Sequence, residues 1–151
     1  MKPKQIAKQV QIEQEMLSHI EQALRTALDW EVGGSDLSRN ISTLRFVAES
    51  FRRHLDRAWA LQEHGGYMQV VLELKPNLSG TVETMKRTHI RLQGELDGIL
   101  LLLEQIGPAE REAFLALRGR LELFLGQLKT HDETEAELLM DAFLTEEGGP
   151  G

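Results

Sequence analysis

The spacing of apolar residues constrains the fold of this 151-residue chain more than any other feature. In four long segments, apolar side chains recur every three or four residues, which places them along one face of an α-helix. Glycine- and proline-containing breaks separate the segments, at Gly33–Ser35, Gly65–Gly66, Lys75–Asn77 and Gly107–Pro108. Four amphipathic helices joined by short breaks predict an all-α fold, an antiparallel up-down-up-down four-helix bundle.

The same breaks predict the domain limits and the helix ends. Residues 1–147 are expected to form a single four-helix-bundle domain, and residues 148–151 a flexible tail. Ser79 or Thr81 is predicted to cap the third long helix, and Pro108 to lie in the first turn of the fourth. The segment Tyr67–Leu74 fits a short helix or a strand. Because no second strand could pair with it, a helical turn at the end of the bundle is predicted.

The composition narrows the chemistry and the partners of this fold. The absence of cysteine excludes disulfides, thiolate zinc sites and iron–sulfur clusters. A net charge of −7 argues against nucleic-acid and membrane partners, both of which require a basic surface. No apolar run approaches the roughly 18 residues of a membrane-spanning helix, and the N-terminus has no apolar signal segment. We therefore expect a soluble, cytoplasmic protein whose chemistry uses nitrogen and oxygen atoms.

Four polar residues lie at positions that the apolar spacing directs into the bundle. Glu135 is near the centre of the apolar face of the fourth long helix, and His89 is near the centre of the third. His131 lies within about 50° of the same face as Glu135, and His19 lies at the edge of the first helix's face. Imidazole and carboxylate groups bind iron, manganese or zinc, and bundles build metal sites by such inward projection. The sequence therefore predicts metal ligands at these four residues.

A metal-free interpretation of the same residues stays open. A single buried histidine is more often a hydrogen-bonded core residue than a ligand. Glu135 could form an ion pair with Lys86, Arg91 or His131, or lie at the rim of the core, because an unpaired core carboxylate costs several kcal/mol. Convergence of several such residues on one point would favour the metal site.

Short motifs in all four long segments resemble the hemerythrin-like, HHE cation-binding family. The segments Thr88–Leu96 and His131–Leu139 are similar to the third and fourth helices of that family. Met16–Ile20 resembles its first helix, with His19 as the histidine, and Trp59–Met68 resembles the end of the second helix in one branch. The resemblance covers nearly the whole chain. It implies a four-helix bundle that binds non-haem iron.

Two positions depart from the family pattern. Family members carry a histidine and, four residues later, a bridging glutamate, where this chain has Ala58 and Gln62. Both positions are expected to face the core, but neither side chain replaces the missing ligand. The resemblance thus implies a reduced site that holds one ion rather than two. His54 and Glu63 could substitute for the missing ligands, but both lie to the side of the apolar face and are not the predicted ligands. His64 is expected at a solvent-exposed helix end.

Two functions of different classes follow from these features. The first is a hemerythrin-like protein that binds iron and, as the resemblance implies, senses or handles oxygen, nitric oxide or iron, with the ion and a small diatomic ligand as its partners. The second is a metal-free bundle that acts as a regulatory or protein-interaction module after loss of its site. An enzymatic role is not predicted, because no acid–base pair is evident outside the candidate site.

Overall fold

A computed structural model describes residues 3–30, 32, 34, 36–64 and 66–144 of the chain. These residues form five α-helices: α1 (Pro3–Leu28), α2 (Ser38–Glu63), α3 (Tyr67–Leu74), α4 (Ser79–Gln105) and α5 (Arg111–Leu139). A 3-10 turn at Pro76–Leu78 precedes α4, and a π-helical segment at Met140–Leu144 follows α5. No strand occurs among the described residues, so the predicted all-α fold is confirmed.

The four long helices pack around one apolar core. Helix α1 contacts α2, α2 contacts α4, and α4 contacts α5. The apolar faces predicted from the sequence meet in this core, where each fully buried leucine or phenylalanine side chain contributes roughly 1.5–3 kcal/mol of hydrophobic stabilisation. Its largest members come from all four helices: Leu24, Leu44, Phe51, Trp59, Leu92, Leu96, Phe114 and Phe124. The predicted four-helix bundle is confirmed, and the antiparallel direction of neighbouring helices stays a prediction.

The segment Tyr67–Leu74 is the short helix α3, as predicted. Its buried side chains pack against residues of α4, α5 and the π-helical segment in a second, smaller apolar cluster. The buried members of this cluster are Tyr67, Met68, Val71, Val82, Met85, Leu138 and Ala142. Because Met85 and Leu138 lie one turn from His89 and Glu135, α3 covers the end of the bundle that carries the candidate ligands.

The predicted start of the third long helix is wrong in its capping residue. A 3-10 turn leads directly into α4, so Ser79 is already helical and Thr81 lies inside the first turn. The residue at the cap position is Leu78, which provides no side-chain hydrogen bond.

The predicted role of Pro108 is also wrong. Helix α5 begins at Arg111, and Pro108 lies three residues earlier in a turn. Its carbonyl accepts a hydrogen bond of 2.8 Å from the backbone N–H of Leu37, just before α2. The proline therefore joins two helix starts rather than opening α5.

Two further sequence predictions concern the chain limits and membranes. The predicted tail, residues 148–151, lies outside the described residues. Within the described part of the chain, no helix has the length and apolar character needed to cross a membrane.

Candidate metal centre

Three of the four predicted ligands meet inside the bundle. His89 on α4 and His131 and Glu135 on α5 are all buried, with at most 5% of each residue exposed. The two Nε2 atoms of the histidines are 2.9 Å apart. Glu135 Oε2 lies 3.3 Å from Nε2 of His131 and 4.0 Å from Nε2 of His89. The i, i+4 spacing of His131 and Glu135 directs both side chains to one face of α5, which brings two ligands to the same point.

The spacing of the three ligand atoms matches the size of a metal ion. Three atoms separated by 2.9, 3.3 and 4.0 Å lie on a circle of radius about 2.0 Å, so one point is equally distant from all three. Bonds from a first-row metal to imidazole nitrogen or carboxylate oxygen are about 2.0–2.2 Å long. The arrangement thus has the dimensions of three ligands around one small cation.

The carboxylate of Glu135 carries a buried negative charge. Burial raises the pKa of this carboxyl, but interactions with His131, His89 and Tyr67 outweigh burial and hold the pKa at about 2. The group is therefore ionised near neutral pH. Its Oε2 atom has no hydrogen bond of normal geometry among the described residues. Because this oxygen lies near polar groups without a well-directed hydrogen bond, it fits a position beside a cation.

Helix α2 contributes two contacts to His89. The indole ring of Trp59 stacks on the imidazole, with ring centroids 4.1 Å apart and an angle of 4° between the planes. The outer ring nitrogen, Nδ1, lies 3.0 Å from Oε2 of Glu63. Both the plane of the ring and its outer nitrogen are thus held by α2.

Sequence reasoning did not identify Glu63 as part of this site. The position of Glu63 on α2 directs its side chain away from the point where the three ligand atoms converge and toward the outer nitrogen of His89. A long carboxylate side chain one turn beyond the core residue Trp59 was the only signal, and many exposed glutamates share that position.

The two positions that depart from the family pattern behave as predicted. Ala58 and Gln62 are both buried and face the core. The hydroxyl of Tyr67 on α3 donates a hydrogen bond of 3.4 Å to Oε1 of Gln62. Burial and the charge of Glu135 raise the pKa of Tyr67 well above its usual value, so the hydroxyl stays protonated. Gln62 thus supplies a hydrogen-bonding group, and Ala58 only an apolar methyl, at the positions where the resemblance implies ligands.

The inward placement predicted for His19 is wrong. His19 is exposed on α1 and does not belong to the group formed by the other three residues. Helix α1 buries Leu17, Leu24 and Leu28, and at about 100° per residue His19 lies on the opposite face.

The other two histidines are not part of the cluster either. His64 is exposed at the C-terminal end of α2, as predicted. His54 lies half-buried on the flank of α2, and its buried Nδ1 has no hydrogen-bond partner among the described residues. Neither residue replaces the ligands missing at Ala58 and Gln62.

A second acidic residue on α5 lies close to the cluster. Burial, followed by the negative charges of Glu135 and Glu21, raises the pKa of Asp132 to about 7. Asp132 is therefore a second titratable acidic group, beside Glu135, at this end of the bundle.

Comparison of the chain with protein-family models, with curated proteins and with solved structures finds no match. The likeness to hemerythrin-like proteins therefore rests on the sequence segments described above.

Proposed function

We propose that this protein binds one transition-metal ion, iron in the first place, through His89, His131 and Glu135. The observation that carries the proposal is the convergence of three buried ligand atoms around a point about 2.0 Å from each. When neutral, the two imidazoles can each offer a nitrogen lone pair to an ion at that point, and Oε2 of Glu135 has no hydrogen bond of normal geometry among the described residues.

The donor set supports iron. Two histidines and one carboxylate are the ligands of many non-haem ferrous sites, in which the remaining coordination positions are open. A bound ion with open positions would take up a small ligand such as dioxygen or nitric oxide, which is the chemistry that the hemerythrin-like resemblance implies. The chain itself holds the ligands in a buried, water-poor environment between α4 and α5. Oxygen, nitric oxide or iron sensing or handling is therefore the function that we propose.

The surroundings of the cluster support one ion rather than two. The group of convergent ligand atoms contains His89, His131 and Glu135. Ala58 has no donor atom, and Gln62 is neutral, so neither provides the charge that a second cation would require.

A metal-free regulatory or interaction module is the second candidate function. The observation that favours it is the 2.9 Å contact between the two Nε2 atoms, since one histidine can donate a hydrogen bond to the other without any ion. In that case the cluster is a buried polar network that stabilises one arrangement of the helices.

Elemental analysis of protein purified without chelator or metal-affinity resin tests the proposal. We expect about one ion per chain, either after purification or after anaerobic addition of ferrous iron. Because each ligand supplies one of three donor atoms, His131→Ala and Glu135→Ala should each lose the ion. His64→Ala, which changes an exposed histidine, is the matched control and should retain it.

Three results would contradict the proposal. Retention of metal by the Glu135→Ala protein would exclude this ligand set. Two ions per chain would show that the site is not reduced. No ion after reconstitution with ferrous iron would favour the metal-free module.

A further inference from the structure

We propose that Glu63 is a positioning residue that fixes the tautomer of His89, so that the Nε2 lone pair of this histidine faces the cluster. The consequence for metal affinity rests on the proposed function, whereas the tautomer is a property of the metal-free chain. The proposal assigns to α2, which supplies no ligand, the role of holding a ligand of α4.

The contact between Glu63 and His89 determines which ring nitrogen carries the proton. Glu63 is the last residue of α2, and its Oε2 lies 3.0 Å from Nδ1 of His89. An ionised carboxylate can only accept hydrogen bonds, so Nδ1 must carry the proton. In a neutral imidazole the other nitrogen then has a free lone pair. That nitrogen is Nε2, which lies 2.9 Å from His131 and 4.0 Å from Glu135.

The stacking of Trp59 on His89 restricts the orientation of the imidazole ring. The indole and imidazole rings are parallel to within 4°, and both residues are almost completely buried. This stacking restricts the tilt of the His89 ring, but it does not distinguish the two ring nitrogens. Glu63 supplies that distinction, because only one edge of the ring can face a carboxylate. Trp59 therefore sets the plane of the His89 ring and Glu63 sets its tautomer. These two residues lie one turn apart on α2.

The charge of Glu63 affects how strongly His89 would bind a metal ion. A carboxylate hydrogen-bonded to the outer nitrogen of a ligating histidine increases the basicity of the inner nitrogen, and removing such a partner typically lowers metal affinity 10- to 100-fold. Glu63 and Glu135 together also provide two negative charges, which balance a divalent ion between neutral histidines. The side chain of Glu63 is 22% exposed, so it reaches the ring from the rim of the core, where desolvation of its charge is incomplete.

The experiment compares wild type with Glu63→Gln and with Glu49→Gln. The second variant removes the same charge from the same helix, at a glutamate paired with Arg45 and distant from the cluster. Two measurements are made on each protein. Long-range ¹H–¹⁵N spectra of the metal-free chain report which nitrogen of His89 is protonated, and titration with Co²⁺ alone, followed by visible absorption, reports the affinity.

We expect the Nδ1–H tautomer in wild type and in Glu49→Gln. In Glu63→Gln the amide can donate as well as accept, so a mixture of tautomers is expected, with Co²⁺ affinity lowered about tenfold or more. An Nε2–H tautomer in wild type, or an unchanged tautomer in Glu63→Gln, would overturn the proposal. Equal Co²⁺ affinity in the Glu63→Gln and wild-type proteins would also overturn it. If wild type binds neither Co²⁺ nor ferrous iron, the proposed function fails, and the tautomer measurement alone decides the role of Glu63.

Discussion

The two ends of the bundle have the same spacing of buried positions along their helices, but the side chains at those positions are apolar at one end and partly polar at the other. Apart from Leu125, the buried positions of α5 from Leu117 onward follow one another at alternating steps of four and three residues: Leu117, Leu121, Phe124, Leu128, His131, Glu135 and Leu138. Helix α4 shows the same alternation through Val82, Met85, His89, Leu92, Leu96, Ile99 and Leu103. One end of the core is entirely apolar. At the other end, three core positions of α4 and α5 carry groups that are costly to bury.

This difference indicates that the fold loses stability at the end where polar groups occupy core positions. An apolar residue at any of the three positions would continue the core, and the register would not change. Polar groups at such positions in natural proteins are commonly sites of function, which reduce stability for the sake of activity. The comparison therefore predicts substitution effects of opposite sign at the two ends.

The largest effect is expected at the apolar end, from Phe124→Ala. The ring of Phe124 is buried and packs edge to face on Phe51, with centroids 6.4 Å apart. Its removal should lower the free energy of unfolding by about 3–5 kcal/mol, measured by urea denaturation. Leu123→Ala, at the exposed neighbouring residue, is the control and should change stability by less than about 0.5 kcal/mol. Similar values for the two variants would argue against this core.

An increase in stability is expected at the site end, from Asp132→Asn in the metal-free protein. The pKa of Asp132 is raised to about 7, so its ionised form is less favourable in the folded chain than in the unfolded chain. Between pH 4 and 7 the aspartate progressively destabilises the fold, and above pH 7 its full cost is present. Asparagine should therefore raise the free energy of unfolding at pH 8 by on the order of 1–3 kcal/mol.

The pH dependence distinguishes this cause from a change in packing. The benefit of Asp132→Asn should become small near pH 4 and disappear at about pH 3, below the usual pKa of 3.8, where the carboxyl is protonated in both folded and unfolded chains. Glu133→Gln, at the exposed neighbouring residue, is the control with the same change in charge. An equal gain at pH 4 and pH 8 would contradict the electrostatic explanation.

A smaller gain, or no change, is expected from Glu135→Leu in metal-free protein. Leucine continues the apolar register of α5, and replacing a buried charge by an apolar side chain is often neutral or stabilising. We expect a change between zero and about 2 kcal/mol in favour of folding, measured by urea denaturation with a chelator present. A large loss of stability would mean that Glu135 is a structural acceptor for its histidine and tyrosine neighbours.

The same variant separates stability from binding. If the proposed site binds iron, wild type should gain stability when ferrous iron is added anaerobically, because a site formed only by folding stabilises the folded chain when it is occupied. Glu135→Leu should gain none. A gain of equal size in both proteins would show that iron acts elsewhere.

The sequence was sufficient to predict the fold and the inward direction of most site residues. Leucines at every third or fourth position determine the register, and His89, His131 and Glu135 could be placed by counting from them. Ala58 and Gln62 were placed in the core by the same count. Periodicity was sufficient here because these residues lie within long, regular helices.

The errors arise where periodicity carries no information. His19 was placed at the edge of the apolar face of α1. Ile12 and Met16 are apolar but exposed, so the apolar residues of α1 do not all mark its buried face. Pro108 was assigned by its preference for a first turn, whereas its carbonyl pairs with Leu37 on another helix. Glu63 reaches His89 from outside the apolar face. Contacts between residues far apart in sequence determine the roles of Pro108 and Glu63.

The smallest effect is expected at the apolar end, from the exposed residue Asp36. The carboxylate of Asp36, just before α2, accepts hydrogen bonds of 2.9 Å from the backbone N–H of Ser38 and 2.6 Å from its hydroxyl, and these bonds lower the pKa of Asp36. A lowered pKa means that the stabilisation is present above the usual value of 3.8 and is lost as the pH falls below it. Asp36→Ala should therefore lower the Tm slightly at pH 7 and less at pH 3, in thermal unfolding followed by circular dichroism. Unlike Asp132→Asn, which is expected to stabilise at high pH, this variant should destabilise there, because exposure leaves the aspartate fully hydrated while its hydrogen bonds order the start of α2. A stabilising effect of Asp36→Ala at pH 7 would mean that the overall negative charge, rather than the burial of individual carboxylates, determines how this bundle responds to pH.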